Sequence, residues 1–185
     1  MNKVPTPKQF IKSADKQSNI LVMPFSSLPP NHQMALVWYM AVDGEAWNIS
    51  LVEDPLNNDW SNANVRRVLR RHMRRFVDVY GGTEWGIGEV LTKDLTAYVW
   101  RCMSEKGIWG SDFDSFQQYH EWYIENDLRR SGKRHNMQQR WPIIYTLNDS
   151  GFDDTYYDPI EDGWHRFHAY VRAKHSTIPI VYSWN

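Results

Sequence analysis

Residues 156–170 read YYDPIEDGWHRFHAY, and the rest of the chain is organised around this stretch. The pattern predicts a short strand, a turn at Asp162–Gly163 and a helix that begins at Trp164 or His165. Backbone N–H groups at the start of such a helix, together with the positive end of the helix dipole, favour an anion such as phosphate. A tight turn followed by a surface arginine is the alternative, because short glycine motifs often occur by chance.

The side chains around this turn suit phosphate chemistry. Arg166 can form two hydrogen bonds to phosphate oxygens, and His165 can donate a hydrogen bond or move a proton. Glu161 and Asp162 are the carboxylates best placed to hold a metal ion such as Mg²⁺, which would neutralise phosphate charge during hydrolysis. Asp162 could instead serve only the turn or the helix cap.

Length and composition indicate one soluble domain. The chain has 185 residues, and its formal net charge of -1 gives no overall attraction to nucleic acid. Cys102 is the single cysteine, which excludes an internal disulfide and a four-cysteine metal site. No apolar run approaches the roughly 18 residues of a membrane span, and the N-terminus lacks a signal core. The sequence therefore predicts a cytoplasmic protein with no membrane span.

The remaining segments alternate between predicted helices and short strands, which indicates an α/β or α+β fold. Residues 1–18 predict a flexible N-terminal arm, and 19–185 a single domain. Strands are predicted at 20–23 (buried), 45–52, 141–145 and 178–182. Helices are predicted from Asn31 to Asp43–Gly44, from Ser61 or Asn62 to Tyr80, from Thr92 to about 107, from Ser111 or Asp112, and from the Gly163 turn to about Lys174. Gly86 and Gly88 predict a flexible turn.

The helix that ends at Tyr80 carries six arginines on one broad face. They are Arg66, Arg67, Arg70, Arg71, Arg74 and Arg75. This face could bind nucleic-acid phosphates, pair with the 22 acidic residues of the chain, or dock on an acidic protein. The use of arginine rather than lysine favours phosphate or carboxylate recognition.

Other polar clusters give weaker hypotheses. The acidic stretch 149–154 reads as a solvated loop, and Asp43 and Glu45 form a possible second carboxylate pair. His165 and His168, spaced by three residues, with His175 further along the helix, suggest a zinc site only weakly. Residues 129–140 form a basic connection, and Cys102 is predicted to pack in the core.

Four features of the C-terminal part occur in a recognisable order. They are a strand with a proline near its start (142–145), the turn Gly163-Trp164-His165-Arg166, a helix rich in small and aromatic residues (167–170), and a closing strand introduced by Ile178-Pro179. In this order they resemble the ParB/sulfiredoxin-like superfamily, and residues 22–29 look like the opening strand of that family. The resemblance implies a single domain of this fold with a mixed sheet and a helical insertion at about 44–110.

The resemblance also implies that Gly163, His165 and Arg166 contact a nucleotide phosphate. Sulfiredoxins carry their reactive cysteine at the position of Trp164, so sulfinic-acid reduction is not expected here. Trp164 would either stack on a base or block the site. Partition ParB proteins continue into a helix-turn-helix region, which is not found before Asn185, so centromere binding is not expected.

The chain is similar to stand-alone members such as plasmid fertility-inhibition proteins. This similarity implies a phosphate-bond hydrolase, a DNase or an ATPase, that uses Mg²⁺ and ATP and acts in competition between mobile elements, for example by inhibiting conjugative DNA transfer. The alternative is a non-catalytic inhibitor that binds DNA or a protein of a conjugation or secretion apparatus.

Overall fold

The computed structural model describes residues 20–42, 63–106, 112–128, 141–144 and 160–184. Within these ranges the helices are α1 (Pro30–Val42), α2 (Ala63–Tyr80), α3 (Thr92–Lys106), α4 (Phe116–Tyr123) and α5 (Trp164–Arg172). The strands are β1 (Leu21–Pro24), β2 (Glu84–Leu91), β3 (Ile143–Ile144) and β4 (Thr177–Ser183). A 3₁₀ turn at Phe25–Ser27 follows β1, and a π-helical segment at Ile124–Leu128 continues α4.

The described strands form one mixed sheet in the order β1-β2-β4-β3. β2 is antiparallel to both β1 and β4, whereas β3 is parallel to β4. Ile144 of β3 also bridges Asp162 in antiparallel fashion. Its N–H donates to the Asp162 carbonyl at 2.9 Å, and the Glu161 N–H donates to its carbonyl at 2.8 Å. The sheet therefore fixes the backbone just before α5.

Buried side chains cover both faces of the sheet. One cluster joins the sheet to α3, α4 and α5 through residues such as Leu95, Tyr119, Phe167, Ile178 and Ile180. The other cluster joins the opposite face to α1 and α2 through Leu36, Phe76, Trp85, Ile144 and Val181. Ile180 and Val181 belong to different clusters because successive side chains of a strand point to opposite faces. The fold is thus a mixed α/β sheet between two helical layers.

Several predicted elements are confirmed. The arginine-bearing helix runs from Ala63 to Tyr80 and is followed by Gly81. The last strand spans Thr177–Ser183, and the helix after the Gly163 turn begins at Trp164. This helix ends at Arg172 rather than near Lys174, which lies at a positive φ of 55° beyond its C-cap. Cys102 is buried in the core, as predicted.

The prediction of a flexible turn at Gly86 and Gly88 is wrong, because both glycines lie inside β2. Since β2 pairs with β1 and β4, the stretch 44–110 contributes a strand to the sheet and is not a purely helical insertion. β1 is also not a buried strand: Leu21 and Val22 are 56% and 37% exposed. It pairs only with β2 among the described strands.

The helix predicted to start at Ser111 or Asp112 starts later. Its N-cap is Ser115, whose side chain accepts a hydrogen bond from the Gln118 N–H. The first N–H groups of a helix have no acceptor within the helix, and a side-chain oxygen at the N-cap accepts a hydrogen bond from one of them. The helix therefore begins directly after Ser115.

Some predictions fall outside the described residues. These are the N-terminal arm 1–18, the strand at 45–52, the pair Asp43 and Glu45, the basic connection 129–140, the acidic stretch 149–154 and the strand before residue 160. None of the helices in the described ranges has the length and apolar character needed to cross a bilayer.

Candidate functional site

The turn before α5 requires glycine. Gly163 is the N-cap of α5 with φ 106° and ψ 23°, a left-handed conformation that costs little only for glycine. A Cβ atom at this position would lie 2.9 Å from Arg166 Nη2 and 3.1 Å from Ile143 Cγ2. The first backbone hydrogen bond of the helix runs from the Phe167 N–H to the Gly163 carbonyl at 2.8 Å. Conformation and space together let the Arg166 guanidinium pack against the backbone of the turn.

Arg166 is buried at this turn. It is 3% exposed, and its Nη2 lies 2.6 Å from Asp162 Oδ2, one helical turn earlier. Its Nε is also buried and has no hydrogen-bond partner among the described residues. The alternative of a surface arginine is therefore wrong. An unsatisfied buried donor on a charged group costs about 1–3 kcal/mol or more. A ligand that accepts a hydrogen bond from Arg166 Nε would therefore recover this free energy.

The two carboxylates predicted as metal ligands both have partners. Asp162 holds Arg166, and the exposed Glu161 accepts a hydrogen bond from the Tyr39 hydroxyl of α1. The carboxylate of Asp162 offsets the charge of Arg166, and Glu161 adds a second carboxylate. The formal charge of these three side chains together is therefore negative. A bare phosphate is consequently less favoured here than a phosphate that brings a cation with it.

The oxygen donors of Glu161 and Asp162 fit Mg²⁺, which proteins usually hold through one or two carboxylates together with phosphate and water. Within the described ranges, no group of three or more His, Cys, Asp or Glu residues could hold a metal ion alone. His165, His168 and His175 do not form such a group, so this part of the chain lends the zinc hypothesis no support. Mg²⁺ would fit this turn if a substrate phosphate supplied some of its remaining oxygen ligands.

Trp164 and His165 are both partly exposed in the first turn of α5. The Trp164 ring packs edge-on against Phe167, with centroids 6.2 Å apart. The His165 ring lies 5.5 Å from that of Tyr123 at the end of α4. Trp164 and His165 thus both contact the α4–α5 core.

Sequence reasoning missed a buried histidine pair next to this site. His120 of α4 and His168 of α5 face each other with their Nδ1 atoms 2.7 Å apart. Burial lowers the pKa of His168 well below 6.5, and both His120 and His165 lower it further. Burial also lowers the pKa of His120, against an opposing effect of Glu121. The two histidines are 48 residues apart, so no local motif could reveal the pair.

The arginine face lies on the other side of the sheet. Arg70, Arg74 and Arg75 are exposed on α2, which packs on the cluster around Phe76, whereas α5 packs on the opposite cluster. Arg66, Arg67 and Arg71 occupy the same helix. α2 and α5 therefore lie in different helical layers, although Glu161 of the turn contacts Tyr39 of α1, in the layer of α2.

Comparisons with protein-family models, with curated proteins and with solved structures find no match for this chain.

Proposed function

We propose that the protein hydrolyses a phosphate bond of a nucleotide or of DNA, with the phosphate bound at residues 163–166. The observation that carries this proposal is the unpartnered Nε of the buried Arg166, held against a left-handed glycine at the N-terminus of α5. A phosphate oxygen would satisfy this donor and lie at the positive end of the helix dipole. The resemblance of residues 141–182 to the ParB/sulfiredoxin-like superfamily supports the same assignment.

Each residue of the turn has a defined role in this proposal. Arg166 binds and orients the phosphate, and Gly163 allows its close approach. Trp164 contributes the adjoining backbone, and the partly exposed His165 donates or accepts the proton of the reaction. Glu161 and Asp162 hold Mg²⁺, which when bound supplies charge neutralisation. ATP or DNA is the substrate, in a cytoplasmic protein of the fertility-inhibition type.

The proposal is tested by hydrolysis of ATP and nicking of plasmid DNA in the presence of Mg²⁺. His165→Gln and Glu161→Gln should each lower the rate by at least about 10-fold, because the first removes a proton-transfer group and the second a charged metal ligand. Both side chains are at least partly exposed, so the variants should fold. Arg172→Gln, on the exposed last turn of α5, is the matched control and should retain the rate.

Equal rates in the wild type, His165→Gln and Glu161→Gln would contradict the assignment of the site. Absence of hydrolysis together with retained binding of Mg-ATP would restrict the site to phosphate binding.

The exposure of Arg70, Arg74 and Arg75 favours a second candidate function, non-catalytic binding of DNA through α2. Arginines four residues apart lie above one another on a helix, so this face offers a continuous cationic surface. The same arginines would also bind the carboxylates of an acidic protein of a conjugation or secretion apparatus. The two ligands differ in their response to salt, because DNA binding releases condensed counterions.

Charge reversal tests this second candidate. Arg70→Glu/Arg74→Glu should weaken DNA binding by at least about 10-fold and flatten the dependence of log K on log salt by about one unit for each phosphate that the variant no longer neutralises. Lys93→Glu/Lys174→Glu makes the same change in charge at exposed lysines elsewhere and should bind almost as the wild type does. A DNA affinity that does not change with salt concentration would rule out the arginine face as the DNA site. Equal loss of affinity in both double variants would also rule it out.

A further inference from the structure

The His120–His168 pair is a head-on contact between two imidazole rings. The Nδ1 atoms are 2.7 Å apart, the ring centroids are 5.0 Å apart, and the ring planes differ by only 14°. Phe116 stacks on both rings, and Tyr123 stacks on His168 with centroids 3.9 Å apart. His120 is 5% exposed and His168 is fully buried. The pair is therefore a single hydrogen bond that joins α4 to α5 inside an aromatic layer.

In this hydrogen bond one Nδ1 must donate and the other must accept, so two neutral rings must be opposite tautomers. His168 Nε2 is buried with no hydrogen-bond partner among the described residues. A buried N–H without an acceptor is rarer than an unused lone pair. We therefore assign the Nδ1–H donor to His168 and the acceptor to His120.

An additional proton has no favourable place in this pair. On His120 it would go to Nδ1, and the hydrogen bond could then persist only if His168 moved its own proton from Nδ1 to Nε2, a buried position without a partner among the described residues. On His168 it would go to Nε2, which would become a buried charged donor without a partner. Both routes favour a structure in which the rings have separated and the charged ring reaches water.

The charged groups around the pair act in known directions. Glu121 of α4 raises the pKa of His120, and Arg172 of α5 lowers it. His165 lowers the pKa of His168. The other titratable groups in the same buried cluster are neutral phenols and a thiol: Tyr98, Cys102, Tyr119, Tyr123, Tyr170 and Tyr182. Burial in this apolar and phenolic cluster therefore opposes an imidazolium, whereas Glu121 is the group that favours one on His120.

We propose that the His120–His168 pair is an acid-sensitive contact, in which uptake of a proton separates the rings and releases α4 from α5 while the sheet stays folded. The separation would move Tyr123 away from His165 and so remove a ring contact from the first turn of α5. The proposal does not depend on the proposed function, because it concerns only the packing of the two helices.

The test is amide hydrogen exchange of the intact protein between about pH 7.5 and about pH 5, corrected for the intrinsic pH dependence of exchange. Protection of α4 should fall about 10-fold for each pH unit below the onset of release, in proportion to the uptake of one proton. β2 and β4 should stay more strongly protected than α4 over the same range, because core strands exchange only when the whole domain unfolds. Equal protection of α4 and β4 throughout this range would overturn the proposal.

Two exposed variants on opposite sides of the pair sharpen this test. Glu121→Gln removes a group that favours the protonated His120 and stays beside it on α4 after release, so release should move to lower pH. Arg172 of α5 opposes protonation of His120 only while the helices are in contact, so Arg172→Gln should leave the onset of release unchanged and reduce the loss of protection at lower pH. A purely structural role would not change the pH of release, and identical shifts in both variants would contradict the proposal. In the wild type at pH 7, ¹⁵N shifts should show neutral rings of opposite tautomer; an imidazolium or equal tautomers would also refute it.

Discussion

Replacing Gly86 by valine should lower the free energy of unfolding by about 3 kcal/mol, because a side chain at this position would overpack the sheet. Gly86 lies in β2 opposite Tyr182 of β4. A Cβ atom at Gly86 would lie 2.3 Å from Cζ and 2.7 Å from Cε1 of the Tyr182 ring. Tyr182 is 4% exposed and packs in the buried cluster, so its ring has little room to move away. Urea unfolding measured by circular dichroism gives the value directly.

Gly82→Val is the matched control for this substitution. Gly82 follows α2, and a Cβ atom there would meet nothing within 4 Å. The change should stay within about 0.5 kcal/mol, as for most surface substitutions. Tyr182→Leu lacks the ring atoms that oppose Gly86, so it should relieve part of the cost of Gly86→Val in the double variant. If both glycine variants were equally stable, the Tyr182 ring would not cover Gly86.

The contrast between these two glycines shows what the sequence could not provide. Gly81 and Gly82 end a helix with strong local periodicity, and the pattern therefore located that end correctly. Gly86 and Gly88 carry the same local signal for a turn, but the pairing of β2 with β1 and β4 overrides it. A glycine in a strand can instead mark a close approach by another group. The strand pairing of β2 and the position of Tyr182 distinguish the two cases, and neither is visible in the local sequence.

At the candidate site, the backbone was more predictable than the side chains. The dipeptide Asp162–Gly163 indicated the turn and the start of α5, and both are observed. The spacing of Asp162 and Arg166 by four residues on one helical face could also have indicated their ion pair. The burial of Arg166 could not be predicted, because it depends on β3 and on packing against Gly163. Charge-based reasoning from the sequence thus overstated how much positive charge the turn offers to a ligand.

Acidification should destabilise the protein strongly, because folding removes several histidines from water in their neutral form. Burial lowers the pKa of His32 in α1 to about 4 and also lowers those of His120 and His168. The unfolded chain, with histidine pKa values near 6.5, then binds more protons than the folded one below this pH. Stability is therefore fully present above about pH 6.5 and falls as the pH decreases toward the folded-state values. His32 alone accounts for about 3 kcal/mol between about pH 6.5 and about pH 4.

Urea unfolding at a series of pH values checks this expectation and separates the contributions. In the wild type, the free energy of unfolding should fall by about 1.4 kcal/mol per pH unit for each histidine that folding keeps unprotonated. His32→Gln should reduce the slope by about this amount, since glutamine cannot take up the proton that burial excludes. A free energy of unfolding that stays constant from about pH 6.5 to about pH 5 would show that these buried rings exchange protons as easily in the folded protein as in the unfolded chain. The histidine pair between α4 and α5 could then not respond to acid.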